Sequence, residues 1–412
     1  MGDDKIIAGI DIGGGKVAAI FAMQDESAQT WQVLSGAIAP CAGIKSGIVV
    51  DIQEASEAVA YVMGECEALS GKSADAIFLG IRGAHLKSFN GHGAYNITHP
   101  DMEITREDVL LTLDNATAIP LDTNSKILAI LPQGFSIDGQ KGVKNPEGME
   151  CSILEADAHI ISASQSHLNN LCKAAARGGY PQAMPIYALA ALGECALTQD
   201  ERKGGVLLLD FGGENMGIGI YARGELKFSW ELPFGSDLIT HDIAYGLKIS
   251  ASAAKKLKEE HGCCMLSMLS TEEISVSKDK RKSAFYIQSR ELFEIIQPRV
   301  EELLEQIEIA IAKNYKGITP SLAVVTGGGA LLTGLPELCR KKIDIDEVRL
   351  GGVLQDLIKT DEEYLQSAYS TALAVAIAGM NQEIYAETAE TERENFFLAL
   401  IKKAAAIIFK GE

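Results

Sequence analysis

Apolar and β-branched residues come in short unbroken runs near the start of the chain. IIAGIDI, VAAIFAM and the run around Trp31 are separated by Gly13, Gly14 and Gly15, which predicts strand, glycine turn, strand and strand over residues 5–32. Residues 52–69 then read as a helix. The cycle restarts at Gly205, where GGVLLLDFGG gives a buried strand and a turn, MGIGIYARG a second strand and ELKFSWELP a third. The chain repeats itself, and two α/β subdomains facing each other across a cleft are expected.

A third glycine turn, VVTGGGALLTGL, follows a strand over 322–325 and precedes a helix. Between the two cycles, over about 83–160, the composition changes to mixed strands with one helix at 106–118, the mark of an inserted subdomain. A second excursion, 241–317, is mainly helical and contains one long helical pattern over 289–313. After Met380 the sequence NQEIYAETAETEREN is polar and acidic, which suits a flexible linker.

Composition narrows the possible classes. A chain of 412 residues that is 47% hydrophobic can bury several cores. Lys and Arg number 37 against 56 Asp and Glu, a net charge of -19 that repels nucleic acid. The first residues, MGDDKIIAGI, place two acids where a secretion signal needs bases. Eight cysteines lie scattered in apolar stretches without metal or disulfide spacing, so reduced thiols in a cytoplasm are expected. Apolar runs such as 371–380 fall short of the roughly 20 residues that a membrane-spanning helix needs.

A strand that ends in Asp and runs into a glycine turn lets backbone N–H groups approach phosphate oxygens while the carboxylate holds Mg2+ through water. One such turn says little, but here two open matching halves and a third glycine turn follows another strand. The candidate ligand-binding residues are therefore Asp11, Gly13, Gly14, Gly15 and Lys16 in the first half and Asp210, Gly212, Gly213 and Asn215 in the second. Gly327, Gly328 and Gly329 belong to the third turn, and Asp11 and Asp210 are the candidate metal carboxylates. The segment PFGSDLITHDIAYGL adds Gly235 and Ser236 ahead of a helix begun by Asp237 or Thr240, with Thr240 a candidate cap.

At these residues the sequence resembles the actin, Hsp70 and sugar-kinase superfamily and, within it, is similar to the FtsA family of bacterial division proteins over nearly the whole chain. GIDIGGGKV is similar to the first phosphate motif, LLDFGGENMGIGIY to the second and VVTGGGALLTGL to the adenosine motif. LGIRGAHLKS, GVKNPEGM and LTQDERKGGV look like stretches particular to FtsA. The resemblance implies an actin-like (ribonuclease H-like) α/β fold with duplicated domains around a nucleotide cleft, ATP and Mg2+ as cofactors, and Lys258 among the nucleotide-binding residues. It also implies subdomain 1A at 1–83, 162–196 and about 366–382, an inserted subdomain 1C at 84–161, subdomain 2A at 197–240 and 318–365, and subdomain 2B at 241–317. A linker at 383–395 and a membrane-targeting helix at 396–412 complete the expected layout.

The implied role is to polymerise into actin-like filaments and tether FtsZ, bound through its C-terminal tail on 2B, to the inner face of the cytoplasmic membrane at the division site. Later division proteins would be recruited there. A PilM-like scaffold of type IV pilus assembly and a kinase of the same superfamily are the alternatives.

Five positions depart from the family pattern. Gly14 stands where Ser or Thr is usual, Glu214 and Asn215 replace the end of a GGGT run, Gly217 replaces an Asp, and Lys255 replaces an acid near the ribose. Glu214 brings negative charge towards the phosphates, which predicts weakened nucleotide binding. The helix expected at 187–197 starts in alanine and leucine, with no group to orient a water, so little or no ATP turnover is expected.

At the C-terminus, Asn395 is placed to cap FFLALIKKAAAIIFK. Phe396, Phe397, Leu400, Ile401, Ile407 and Ile408 recur at helical spacing as one apolar face, extended by Phe409, while Lys402 and Lys403 supply positive charge. Four or five large side chains buried at about 1.5–3 kcal/mol each, with about 1 kcal/mol per lysine near anionic lipid, make a reversible membrane anchor.

Overall fold

The computed structural model describes residues 5–25, 30–270, 273–276 and 285–387, with side chains to Met380. The chain opens with β1 (Ile6–Gly13), β2 (Gly15–Asp25) and β3 (Thr30–Cys41), an antiparallel meander whose first turn holds the glycines. A short hairpin, β4 (Ile44–Lys45) and β5 (Ile48–Val49), leads into α1 (Ile52–Ser70). Asp51 starts that helix by accepting from the N–H groups of Gln53 and Glu54, and Gly71 ends it at φ 65°. One stripe of α1, including Ala55, Val59, Val62 and Cys66, is buried against the sheet. The chain then returns in β6 (Ala76–Ile81), parallel to β1.

The insertion comes next as β7 (Leu86–Asn96), α2 (Arg106–Ala116), β8 (Ser125–Ile137), β9 (Gln140–Val143) and β10 (Ile153–Ser164). Its sheet runs β7-β10-β8-β9 and is antiparallel throughout. α2 starts in a Thr105–Asp108 capping box and lays Val109, Leu113 and Ala116 on the sheet, giving the insertion a core of its own.

After it, α3 (Gln165–Arg177), β11 (Met184–Tyr187) and α4 (Ala188–Ala196) complete the first half, and α5 (Gln199–Gly204) leads to the second. The meander recurs as β12 (Val206–Phe211), β13 (Met216–Ala222) and β14 (Glu225–Leu232). A helical excursion follows: α6 (Asp237–Leu247), α7 (Ala251–His261), the hairpin β15 (Glu273–Val276) with β16 (Phe285–Gln288), and α8 (Ser289–Asn314). Leu292, Ile296, Val300, Leu303 and Ile307 of α8 share one buried face. β17 (Leu322–Thr326) comes back parallel to β12, and α9 (Leu335–Lys342) and β18 (Glu347–Leu350) extend that sheet. β19 (Ile358–Lys359) then pairs with β3, and α10 (Ser367–Glu387) packs on the first half.

The first sheet is ordered β11-β6-β1-β2-β3-β19 and the second β14-β13-β12-β17-β18. Each places its meander beside parallel crossover strands in the same sequence, so the expected duplication is present. The carboxyl ends of β1 and β12, with Asp11 beside Gly80 and Asp210 beside Thr326, occupy equivalent rungs. Ligands gather at such strand ends in open α/β sheets.

The insertion also reaches the second half. Ser88 Oγ donates to the Ser229 carbonyl (2.5 Å), Asn90 Nδ2 to that of Lys227 (3.2 Å) and Gln133 Nε2 to that of Leu226 (2.6 Å), all on β14. Buried His159 meets Ser229 Oγ at 2.9 Å, and burial pushes its pKa down to about 3, so the ring is neutral.

Two local expectations change. The acidic segment expected as a linker begins as helix, because α10 continues to Glu387. Ala, Glu, Gln and Tyr there offer no glycine or proline to stop it. Thr240 lies inside α6 and does not cap it, since the helix already begins at Asp237. Residues 388–412, with Phe396, Phe397, Leu400, Ile401, Lys402, Lys403, Ile407, Ile408 and Phe409, lie outside the described residues. Among those described, no helix is long and apolar enough to cross a membrane. All eight cysteines are free, and all but Cys172 are buried.

Candidate functional site

The two halves face each other across a cleft of about 650 Å³, within the usual range of ligand sites. Asp11, Gly13, Gly14, Gly15 and Lys16 line it from the β1–β2 turn, and Asp210, Gly212, Gly213 and Asn215 from the β12–β13 turn. Gly327, Gly328 and Gly329, after β17, line it from a third side, with Ser236 and Lys258 from α6 and α7. The sequence candidates thus converge from four separate parts of the chain. Gly235 sits just behind: a Cβ there would come 2.4 Å from the Gly212 carbonyl, and Ser236 N–H donates to that same oxygen at 2.9 Å. The 235–236 segment is thereby laced to the second glycine turn.

Arg82, at the end of β6, forms the floor of the cleft. Its guanidinium donates to Asp210 Oδ2 (2.5 Å) and to Glu231 Oε1 of β14 (2.7 Å), and all three residues are buried. Burial opposes the arginine charge, yet Glu231 and Asp210 hold its pKa above the ordinary value. Burial likewise pushes the Glu231 carboxyl up to about 7, against the pull of Arg82. Thr326 Oγ1 donates to the other Asp210 oxygen at 2.9 Å. Asp210 is therefore fixed from both sides. Gly217 makes this possible, because a Cβ there would come 2.3 Å from the Arg82 guanidinium. Gly217 and the buried Arg82 are therefore fitted to each other.

At the other end of the cleft, Glu214 reaches from the second half to the first. Its Oε2 accepts the Ser46 N–H at 2.6 Å. Ser46 and Gly47 form the two-residue tip of the β4–β5 hairpin with φ 48° and 78°, as a tight primed turn requires. Asn215, with its amide turned so that both ends are satisfied, accepts from Gly47 N–H at 3.3 Å. Glu214 lies directly over Gly14: a Cβ on Gly14 would come 2.1 Å from Oε2. Gly14 and Glu214 are thus a complementary pair.

Two lysines among the sequence candidates, Lys16 and Lys258, line the cleft. Lys16 Nζ donates to the Ala368 carbonyl at 2.9 Å, and burial lowers its pKa despite Asp11 and Asp210. Lys258 donates to the Ser236 carbonyl at 3.1 Å and is likewise lowered by burial, with Asp237 opposing. Burial raises Asp11, while Lys16 and Arg82 pull it back. Lys255 lines the cleft, and Glu259, one helical turn on, lines it too. Thr240 presents a buried Oγ1 with no protein partner on the same wall, a donor left for a ligand. Among the described residues no group of three His, Cys, Asp or Glu could hold a metal ion.

Arg82, Glu231 and Glu259 were not singled out by the sequence. Arg82 stands in LGIRGAHLKS, but its partners lie 128 and 149 residues away, a separation no local pattern reports. Glu194 of α4 does not line the cleft.

Residues 83–162 match the family model described as the SHS2 domain inserted in FTSA, and residues 207–374 that of cell division protein FtsA. Cell division protein FtsA of Escherichia coli (strain K12) is 29% identical over 401 residues, covering 95% of this chain and 94% of that one. The protein of the same name from Borreliella burgdorferi is 26% identical, covering 92% of each. Among solved structures, the PilM-PilN type IV pilus biogenesis complex superposes with a TM-score of 0.63 at 14% identity, covering 90% of this chain and 98% of that one. MreB5 of Spiroplasma citri bound to ADP gives 0.54 at 10%, covering 94% and 99%. At such identities these likenesses show the actin-like fold alone.

Proposed function

Because the chain belongs to the FtsA family of cell division proteins, we propose that it is an actin-like, ATP-binding division protein that polymerises and tethers FtsZ to the cytoplasmic membrane. The observation that carries the nucleotide part is the convergence of three glycine turns, from two matched halves, on one cleft. Bare N–H groups at 13–15 and 212–213 would take the phosphates, with Lys16 and Lys258 as counter-charges and the 327–329 turn beside the adenosine.

The residues present suit Mg2+, which would neutralise phosphate charge. Asp11 faces the cleft, and Asp210, although held by Arg82 and Thr326, keeps free lone pairs for the ion's water shell. Turnover would be slight, because α4 begins Ala188, Leu189, Ala190 and Glu231 is sealed behind Arg82, leaving no placed group to orient a water.

The remaining parts rest on the family and the tail sequence. FtsZ would dock by its C-terminal tail on 2B, copies of the chain would join into protofilaments, and later division proteins would gather on them. The apolar helix at 396–412 would lie on the inner face of the membrane, its weak hold multiplied by filament valency. Co-sedimentation of the full chain with anionic vesicles and FtsZ, with and without ATP, tests this. Both should pellet together, and removing residues 396–412 should leave the folded protein and FtsZ in the supernatant. Unchanged vesicle binding by the truncated chain would refute the anchor.

A further inference from the structure

Glu214 is an acidic side chain that crosses the cleft between the halves. It belongs to the glycine turn of the second half, yet its carboxylate sits on Gly14 in the glycine turn of the first half and accepts Ser46 N–H. On the nucleotide reading the adenosine would lie beside Gly327 and Gly328, which line the cleft together with Lys255 and Glu259. A nucleotide laid from there between the two turns carries its last phosphate to the place where they meet. That place is where the Glu214 carboxylate stands.

We propose that Glu214 sets the phosphate-chain length this cleft prefers: its carboxylate occupies the terminal-phosphate position, so that a nucleoside diphosphate binds more tightly than the triphosphate. The inference rests on the nucleotide reading given above. A carboxylate and a phosphate are both anions with acceptor oxygens, and both would compete for the same Ser46 N–H. Holding them together at that point is a like-charge contact in a partly buried site. A diphosphate leaves the Glu214–Ser46 bridge in place, whereas a triphosphate must displace it. Displacement is sterically open, because the atoms over Gly14 are the far end of a flexible side chain. The triphosphate is therefore disfavoured without being barred, and its binding would release the tie between the second glycine turn and the β4–β5 hairpin.

Glycine at 14 is part of the same device. A side chain there would push Glu214 away, as the 2.1 Å approach shows, so Gly14→Ala should dislodge the carboxylate without removing its charge.

Isothermal titration of the full chain with ADP and with ATP, each with Mg2+, tests the proposal. The wild-type protein should bind ADP at least about tenfold more tightly than ATP, a difference of about 1.4 kcal/mol. Glu214→Gly, which vacates the position, and Glu214→Gln, which keeps its shape without its charge, should each reduce that ratio severalfold. Equal affinities in the wild type, or a preference that survives in both variants, would overturn the role of Glu214 while leaving nucleotide binding intact. Absence of binding to either nucleotide by a folded chain would instead remove the nucleotide reading, and this inference with it.

Discussion

At the scale of single residues, three of the five sequence departures, Gly14, Glu214 and Gly217, have a structural counterpart. Gly217 clears the space that Arg82 fills, and Gly14 clears the space under Glu214. Read along the chain, each looks like the loss of a family residue; only the fold shows what moved in. The buried Glu231 makes a pH prediction. Its carboxyl stands at about 7 in the folded protein against 4.5 unperturbed, so the folded state holds that proton more tightly than the unfolded one. Its contribution to stability is greatest in acid, declines as pH rises through this interval and is level above it. Urea unfolding at about pH 5 and about pH 8 should show the wild type losing stability relative to Glu231→Gln as pH rises. A constant difference between the two proteins would contradict the assignment.

Between elements, Arg82 ties β6 of the first half to β12 and β14 of the second. Removing the guanidinium leaves two buried carboxylates without their cation, so Arg82→Met should destabilise the protein by about 3–5 kcal/mol in urea unfolding. A loss under about 1 kcal/mol, the usual worth of an exposed pair, would show that the three groups are not jointly buried. Both meanders, the helix now called α1 and the long helix α8 were legible in the sequence, because each is a run whose hydrophobic period speaks for itself. So were the glycine turns. Arg82 and the side-chain bonds from the insertion to β14 were not, since their partners are far apart in sequence and polar. The helical start of the acidic tail was hidden for another reason: its composition is that of a linker, but its residues are good helix formers continuing a helix already nucleated.

For the whole molecule, duplication explains why the cleft exists. Two sheets of the same strand order present the carboxyl ends of β1 and β12 to each other, and the insertion braces the second half from the side of β14. Arg82, bonded to Asp210, and Glu214, bonded to Ser46 N–H, both cross between the halves. The halves are therefore linked at two points where a ligand would lie, so ligand binding and the relation between the halves are coupled by construction. A crystal structure of the protein grown with ADP and Mg2+ tests this account most directly. The diphosphate should lie between the 13–16 and 212–215 turns, with Arg82 still on Asp210 and the Glu214 carboxylate still on Ser46 N–H. Nucleotide bound elsewhere, or a diphosphate that sits on Ser46 with Glu214 expelled, would contradict it.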